Sequence, residues 1–544
     1  MKTSKITFDA PSGRTVTIEG VRSTGGTRYI HVRYGGKSGY VRRDKFVDEK
    51  AEARSELRRQ QVLVVKDKDW SAIIEEIDGI DKFKKFPLIE RPGRSDPYFA
   101  MKDGTILAPP GSPKGQVIFE RAPSSTLVMG TLAEWQELIA KHLAGQDLLI
   151  VAVLAAMASP LVAFTNETVN FGIDLSGPPE RGKTTWLMLM ASVARDPSQI
   201  PSFNSTKAGL ETLFDEFNDM PFPIDEANLA DSGDKHFVQQ VIFRMANGTL
   251  KLTAYRQDLG KYRFVFATSA NRPLRDALND TDQHSMNAAM QRLLPLRIGE
   301  NDSLGIFSSV PVGFGSTGEF ATYLTDTMLL QYGTPMRAFL QALVEVRAKN
   351  PEAFVTRLRQ RIDDFASAAG VAATNRAKTR ATSSFGLFYA AGCFAKAKKI
   401  LPENWDCMAA CLTAYRNYQS CLPNQTPLEA RLLTIAQLPE TLDLRDGTIP
   451  QLPNSKLAQH GAFIKLGKRG RVELLLTERV QREFFDDWRQ LKQTDRFKAL
   501  NLSAKDHDGQ QRQVRQGKKK ERFICFILPP ELVEQLPQAL LPTR

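Results

Sequence analysis

The chain is poor in cysteine and has no segment that resembles a secretion signal. Among 544 residues there are five cysteines, an odd number, and the N-terminus from Met1 to Lys5 lacks the apolar stretch of a signal peptide. These features argue against a disulfide-stabilised secreted domain, and we expect the protein in the reducing cytoplasm. Cys407 and Cys411 share a helix face, but no histidine lies near them to complete a zinc site. We interpret both as core residues.

Long apolar runs are also scarce. The longest, Leu148 to Phe164, is interrupted by Ser159 and Pro160 and is shorter than the ~20 residues that a membrane-spanning helix needs. We therefore predict a buried helix there and no membrane partner. A set of residues typical of a primase or nuclease active site is not evident either.

Positive charge is concentrated at the two ends of the chain. The net charge is +12; residues 1–60 carry 14 Lys and Arg against 7 Asp and Glu, and residues 461–524 carry 17 against 9. This distribution favours a polyanionic partner, most simply DNA or another nucleic acid. Basic surfaces that serve only solubility are the alternative.

The most informative stretch is Gly177 to Thr184, which has the G-x-x-x-x-G-K-T pattern of a phosphate-binding loop. An apolar alternation precedes it and a helical pattern follows, so backbone N–H groups and a helix N-terminus would face a phosphate chain. Gly177 and Gly182 allow the backbone to close around phosphates. Lys183 supplies positive charge and Thr184 an oxygen for Mg²⁺. The expected ATP site also includes three neighbouring residues, Glu180, Arg181 and Thr185.

Two further apolar stretches end in polar residues suited to nucleotide hydrolysis. Met220 to Glu226 predicts a strand followed by Asp225, which would orient Mg²⁺, and by Glu226, which would polarise the attacking water. Phe264 to Asn271 predicts another strand, whose terminal amide would hold that water against the γ-phosphate.

Basic segments outside these strands are candidate DNA contacts. Asn247 to Arg263 predicts a hairpin whose candidate residues are Lys251, Tyr255, Arg256 and Lys261. Arg512 to Arg522 predicts a second basic hairpin, with Lys518, Lys519 and Lys520 at its tip. A solvated hairpin is the alternative in both cases.

Residues 4–47 predict a small β unit with turns at glycine pairs. Its basic residues alternate with aromatic ones, an arrangement compatible either with a nucleic-acid face or with a solvated strand face: Arg28, Tyr29, His31, Arg33, Tyr34, Tyr40, Arg42 and Arg43.

Two further segments follow this unit. Residues 48–60 predict a charged helix or a linker. The stretch from Tyr98 to Leu107 predicts a hairpin about an Asp103-Gly104 turn.

One pattern is misleading. Gly313 to Gly318 matches G-x-G-x-x-G, but no βαβ unit with a following ribose-binding acid is visible. Ser316 and Glu319 instead form a capping-box pattern, so we predict a helix start.

Taken together, these stretches resemble the family catalogued as domain of unknown function 927, over roughly residues 90 to 425. The resemblance rests on six segments: Gly177–Thr185, Asn204–Glu211, Ile224–Glu226, Met245–Lys251, Gln331–Phe339 and Arg380–Gly392. These proteins look like AAA+ ring ATPases, and relatives on mobile elements and staphylococcal chromosome cassettes act as self-loading replicative helicases.

The resemblance implies an α/β fold with a P-loop AAA+ ATPase core. It also implies ATP, Mg²⁺, DNA and a homo-oligomeric, hexameric ring as partners. Arg292 resembles the arginine that reaches into a neighbouring subunit's site, and Arg380 resembles the second sensor arginine. Lys183, Thr184, Asp225, Glu226 and Asn271 keep the roles given above.

We expect five domains: a basic β module (1–50), a mixed α/β region (51–147), the ATPase core (148–300), a helical domain (301–425) and a basic winged-helix-like domain (426–544). The favoured function is an ATP-driven DNA helicase or translocase of a mobile element. A nucleic-acid-sensing ATPase that does not unwind, in phage defence or remodelling, and a non-catalytic origin-binding scaffold are the rivals.

Overall fold

The computed structural model describes residues 3–119, 121–122, 127–165, 170–203, 207–225, 235–248, 261–274, 292–299, 302–371, 376–422, 427–445, 461–467, 470–485, 488–492, 494–501, 512–516 and 519–536. The chain divides into two compact units, Met1–Cys421 and Leu422–Arg544. The five-domain division stays a prediction.

The first unit begins with an antiparallel sheet that carries helices on one face. Four strands pair in chain order and a fifth short strand pairs in parallel with the second: β1 Lys5–Asp9, β2 Thr15–Arg22, β3 Arg28–Tyr34, β4 Lys37–Arg42 and β5 Lys84–Lys85. Three helices follow β4: α1 Arg43–Asp48, α2 Lys50–Arg59 and α3 Asp67–Ile77. Leu57 of α2 and Ile73 of α3 share a buried cluster with Ile18 and Val32 of the sheet. The charged segment after β4 is therefore a helix of this core rather than a linker.

Short strands connect this module to the rest of the unit: β6 Leu88–Ile89, β7 Gly93–Ser95, β8 Tyr98–Ala100, β9 Ile106–Leu107 and β10 Gln116–Val117. Phe99 pairs with Leu107 in an antiparallel register, which confirms the predicted hairpin. Its turn contains Gly104 at φ +87°, a conformation that glycine adopts without strain.

The longest apolar stretch forms a core helix. After α4 (Leu132–Leu138), helix α5 (Asp147–Ala158) continues as a 3₁₀ segment over Ser159–Phe164. Asp147–Phe164 is long and apolar enough to cross a membrane by composition alone, but 83% of it is buried within the structure. The described part of the chain thus uses this stretch as an internal packing element.

A parallel sheet lies at the centre of the first unit. Its described strands are β11 Phe171–Ser176, β12 Phe222–Ile224, β13 Val265–Ala270 and β14 Leu293–Arg297, in the spatial order β12-β13-β11-β14. All pairings are parallel. Every residue of β11, β12 and β13 is buried, so both faces of these strands are covered. Among the described residues, three helices lie between these strands in sequence: α6 Lys183–Ser192, α7 Lys207–Glu216 and α8 Lys235–Asn247.

The remainder of the first unit is helical, as predicted, with helices α9 Thr317–Met328, α10 Thr334–Lys349, α11 Pro351–Ala368, α12 Arg376–Ala397 and α13 Cys407–Cys421. The Ser316 side chain caps α9 by accepting a hydrogen bond from Glu319 N at 3.1 Å. The interpretation of the G-x-G-x-x-G segment as a helix start is thereby confirmed. Cys407 and Cys411 are buried core residues on α13.

The second unit is built on a five-stranded sheet with the order β15-β16-β17-β19-β18. Its strands are β15 Thr441–Leu444, β16 Ala462–Leu466, β17 Val472–Leu476, β18 Arg512–Gln516 and β19 Lys519–Ile527. Its helices are α14 Leu428–Ala436, α15 Glu478–Phe484, α16 Trp488–Leu491, α17 Asp495–Leu500 and α18 Pro530–Val533. Strands β18 and β19 pair antiparallel, which confirms the second basic hairpin. The winged-helix-like assignment stays a prediction.

Candidate nucleotide site at the carboxyl edge of the parallel sheet

The strand order brings three of the predicted segments to one edge. Ser176, the last residue of β11, pairs with Ala270, the last residue of β13, and Ile224 at the end of β12 pairs with Thr268. The carboxyl ends of parallel strands lie together, so the segments that follow these strands must emerge side by side. Strand β13 lies between the other two. Asn271 therefore follows the strand that separates the glycine loop, defined as Gly177–Thr184, from Asp225.

The lysine of the glycine loop folds across that loop. Lys183 is the first residue of α6 and is 8% exposed. Its Nζ donates to the carbonyl oxygens of Gly177 at 2.8 Å and Pro178 at 2.6 Å. Burial lowers the pKa of Lys183, and the negative charge of Asp225 opposes that shift. The ammonium group of the loop and the carboxylate of the neighbouring segment are thus close enough to interact.

The glycines of this loop are required by packing as well as by conformation. A Cβ on Gly177 would lie 2.7 Å from Cβ of Ile298, and one on Gly182 would lie 2.8 Å from Cδ1 of Ile306. Ile306 also donates its N–H to the Arg181 carbonyl at 3.1 Å. Gly182 has φ +82°, in the left-handed region that other residues rarely adopt. The residues that follow β14, Ile298 and Ile306 among them, therefore pack directly against the glycine loop.

The remaining loop residues suit a phosphate ligand with its cation. Glu180 and Thr184 are exposed, and Arg181 and Thr185 are half-buried. Helix α6 begins at Lys183, directly after Gly182, and the first N–H groups of a helix have no partner within it. Among the described residues no group of three or more His, Cys, Asp or Glu is placed to hold a metal ion. The predicted Mg²⁺ site does not require such a group, because Mg²⁺ is usually bound through one or two protein oxygens together with substrate phosphates. Thr184 and Asp225 would supply those protein oxygens.

Asp225 is held from two sides, by residues 201–203 and by strand β13. Its N–H donates to the Pro201 carbonyl at 2.9 Å, and its own carbonyl accepts from Phe203 N at 3.2 Å. The Ser269 hydroxyl of β13 donates to Asp225 Oδ1. The carboxylate is therefore oriented by the strand that leads to Asn271. Glu226, the adjacent predicted catalytic acid, lies outside the described residues.

A buried carboxylate that sequence reasoning missed supports the Asn271 segment. Asp174, in the middle of β11, is 1% exposed. It accepts hydrogen bonds from the Thr268 hydroxyl at 3.1 Å and from Leu274 N at 2.9 Å. These bonds tie the turn that carries Asn271 to the strand that precedes the glycine loop, and Asn271 itself is exposed. The available signal was a carboxylate within an apolar strand, since a buried charge requires hydrogen-bond partners.

The structure places Arg292 at the opposite edge of the sheet. Its carbonyl accepts from Gly172 N, near the start of β11, and its Nη1 donates to Asn247 Oδ1 at 2.7 Å. The five residue steps from Gly172 to Gly177 span about 17 Å in a parallel strand. Arg292 is thus remote from the glycine loop of its own chain, and its role toward a neighbouring subunit stays a prediction.

Arg380 lies on the side of the sheet where the glycine loop begins. It is exposed near the start of α12. Two residues further on, Thr382 shares a hydrogen bond of 3.1 Å with the Tyr415 hydroxyl on α13. Asn417, on the same helix, bonds to both backbone groups of Arg297, the last residue of β14, at 2.8 Å each. The Arg380 end of α12 is therefore close to the carboxyl edge of the sheet, and its sensor role stays a prediction.

The predicted DNA contacts are only partly described. Lys261 is exposed, whereas Lys251, Tyr255 and Arg256 lie outside the described residues. In the second hairpin Lys519 pairs with Gln516 and Lys520 with Arg515. Lys518 lies outside the described residues.

Comparisons with known proteins agree with this architecture. The family model "Domain of unknown function (DUF927)" matches residues 111–261, which confirms the family resemblance over that part of the chain. No curated protein matches the chain. A solved structure of SCCmec type IV Cch, described as an active helicase, is 14% identical, with a TM-score of 0.53 over 95% of this chain and 94% of that one. The chain is thus a mixed α/β protein that shares its fold with this helicase.

A second solved structure, the A form of the apo NrS-1 C-terminal region, is 11% identical and covers 70% of this chain and 87% of that one. Its TM-score of 0.21 is too low to indicate a shared fold.

Proposed function

We propose that the protein is an ATP-dependent DNA helicase or translocase of the AAA+ class, which acts as a ring of identical subunits and serves a mobile element. The observation that carries this proposal is the strand order. Strand β13 separates β11 from β12 and aligns the glycine loop, Asp225 and the Asn271 turn along one edge. The fold shared with a helicase supports a helicase or translocase over other ATPase functions.

In this proposal each polar residue at the carboxyl edge of the parallel sheet has one role in ATP binding or hydrolysis. Lys183 and the N-terminus of α6 bind the phosphates of ATP, and Thr184 and Asp225 hold Mg²⁺. Bound Mg²⁺ neutralises charge that develops on the phosphate oxygens. Glu226 polarises the attacking water, and Asn271 orients that water. Catalysis is then mainly positioning and electrostatic stabilisation.

Two arginines link hydrolysis to assembly and conformation in this scheme. Arg292, remote from the glycine loop of its own chain, completes the site of a neighbouring subunit, while Arg380 contacts the nucleotide within its own chain. A guanidinium supplied in trans can raise turnover by about 10³–10⁵ in related phosphoryl-transfer enzymes. Arg292→Ala should therefore suppress turnover while ATP binding persists.

The decisive experiment is strand displacement. The full chain is incubated with ATP, Mg²⁺ and a forked DNA duplex, mass measurement reports the assembly, and displaced strand is followed with time. Glu226→Gln is the matched control, because it preserves size and polarity but removes the carboxylate. We expect unwinding by the wild type and none by the variant.

Two results would redirect the proposal. DNA-stimulated hydrolysis without displacement would favour the nucleic-acid-sensing ATPase. Turnover that is unchanged in Glu226→Gln would show that this residue is not the catalytic base. A DNA-bound ring that hydrolyses ATP and never separates or moves along DNA would refute the helicase and translocase alike.

A further inference from the structure

The N-terminal sheet has a groove on the face opposite its helices. Along β3 the side chains alternate, with Ile30 and Val32 packed into the core that includes α2 and α3. His31 and Arg33 consequently lie on the other face. There they help to line a groove of about 600 Å³, together with Tyr40 of β4 and with β5.

Positive charge dominates this groove. Four exposed cations line it, Arg33, Lys37, Lys84 and Lys85, against one carboxylate, Glu19. Lys84 pairs with Glu19 at 3.4 Å. Within the described part of the chain, Arg33, Lys37 and Lys85 form no ion pair. Like charges held around one concavity repel each other, so an anionic ligand would relieve that repulsion.

The floor of the groove contains a buried polar atom that has no hydrogen-bond partner in the described part of the chain. His31 is 6% exposed and stacks on Tyr40 with ring centroids 4.3 Å apart and planes inclined by 5°. Its Nε2 has no hydrogen-bond partner among the described residues. Burial lowers the pKa of His31 to about 4, so the ring is neutral at pH 7. A hydrogen-bonding group of a ligand would satisfy this atom.

We propose that this groove binds the sugar–phosphate backbone of a single-stranded nucleic acid. A concave, basic surface with aromatic side chains at its base is the usual way in which proteins follow a single strand. The groove volume falls within the ~300–1,000 Å³ of sites that enclose small ligands, which suits a few nucleotides of one strand rather than a duplex. The proposal goes beyond the proposed function, because binding here requires neither ATP nor the glycine loop.

Charge removal in the full chain gives the first test. Arg33, Lys37 and Lys85 are replaced together by alanine, which breaks no ion pair among the described residues. The matched control replaces Arg58, Arg59 and Lys68 by alanine. These three exposed cations lie on α2 and α3, the helices that cover the face of the sheet opposite the groove. Binding of a fluorescent oligothymidylate strand is followed by anisotropy without ATP, over a range of salt concentrations.

Each phosphate contact contributes about 0.7 to the slope of log K against log salt for single strands, so the groove variant should lose about 2 from that slope. The control variant should keep both its slope and its affinity. Equal behaviour of the two triple variants would overturn the proposal.

Lysine acetylation of the unmodified full chain tests the location directly. Oligothymidylate should protect Lys37, Lys84 and Lys85, while Lys66 and Lys68 react as in the free protein. Protection that is absent, or equally strong with duplex DNA or poly-glutamate, would refute a single-strand site. Lys183→Ala should show the same protection as the wild type, so failure of the ATPase proposal and failure of this one are distinguishable.

Discussion

Replacing Gly182 by alanine is the sharpest test of how the glycine loop is built. Gly182 has φ +82°, and a Cβ there would lie 2.8 Å from both Cδ1 and Cγ1 of Ile306. The left-handed conformation costs a non-glycine residue about 1–2 kcal/mol. Displacing a packed side chain adds typically ~1–3 kcal/mol. We therefore expect Gly182→Ala to lower the free energy of unfolding by about 2–5 kcal/mol and to weaken ATP binding, because Lys183 is the next residue.

Gly370→Ala separates the two contributions. Gly370 also has positive φ, +66°, but a Cβ there has no neighbour within 4 Å in the described part of the chain. This variant should lose only the conformational contribution, about 1–2 kcal/mol. Denaturant unfolding of both variants, with ATP binding measured by calorimetry, gives the comparison.

A double-mutant cycle isolates the contact itself. Ile306 is 1% exposed, so Ile306→Ala alone should cost about 2–5 kcal/mol. In the Ile306→Ala background, Gly182→Ala should cost about 1–3 kcal/mol less than in the wild type, because the new methyl group then meets free space. Additive costs, or a Gly182→Ala protein as stable as Gly370→Ala, would refute the packing argument.

Three further outcomes are expected. Asp174→Ala removes the acceptor of two buried hydrogen bonds, each worth about 1.5–3 kcal/mol. Chemical denaturation should therefore show that the free energy of unfolding falls by ~3–6 kcal/mol. An unchanged denaturation midpoint and unchanged ATP turnover would contradict the supporting role of Asp174. Lys183→Ala should abolish ATP binding in calorimetry and leave the circular dichroism spectrum intact; retained affinity would count against the nucleotide site. Alanine at Lys518, Lys519 and Lys520 should weaken DNA binding and flatten its salt dependence in anisotropy titrations, and an unaltered slope would argue against that hairpin.

Local patterns in the sequence were enough to place several elements. The hairpin from Tyr98 to Leu107 and the cap at Ser316 depend on residues that are neighbours in the chain, so turn and capping chemistry predicted both. The apolar stretch at Leu148 was correctly interpreted as a buried helix because its length and its interruption are visible without a structure. The three strands that lead to Gly177, Asp225 and Asn271 were also predicted.

Long-range relations were not accessible in this way. Alternation along β11 is compatible with a half-exposed strand, whereas burial on both faces, and with it the role of Asp174, depends on the helices and strands that pack against it. Residues 48–60 were compatible with a charged helix or with a linker, and only the contacts of Leu57 make α2 part of the N-terminal core.

The sequence by itself determined the residues of the candidate nucleotide site: a glycine loop with a lysine, a carboxylate after one strand and an amide after another, each specified by residues adjacent in the chain. Only the tertiary structure decided that β13 lies between the other two strands, that Ile298 and Ile306 support the loop, and that four cations meet over His31. These arrangements join residues far apart in sequence. Their proximity is set by strand order and by the packing of side chains in three dimensions, which no local pattern encodes.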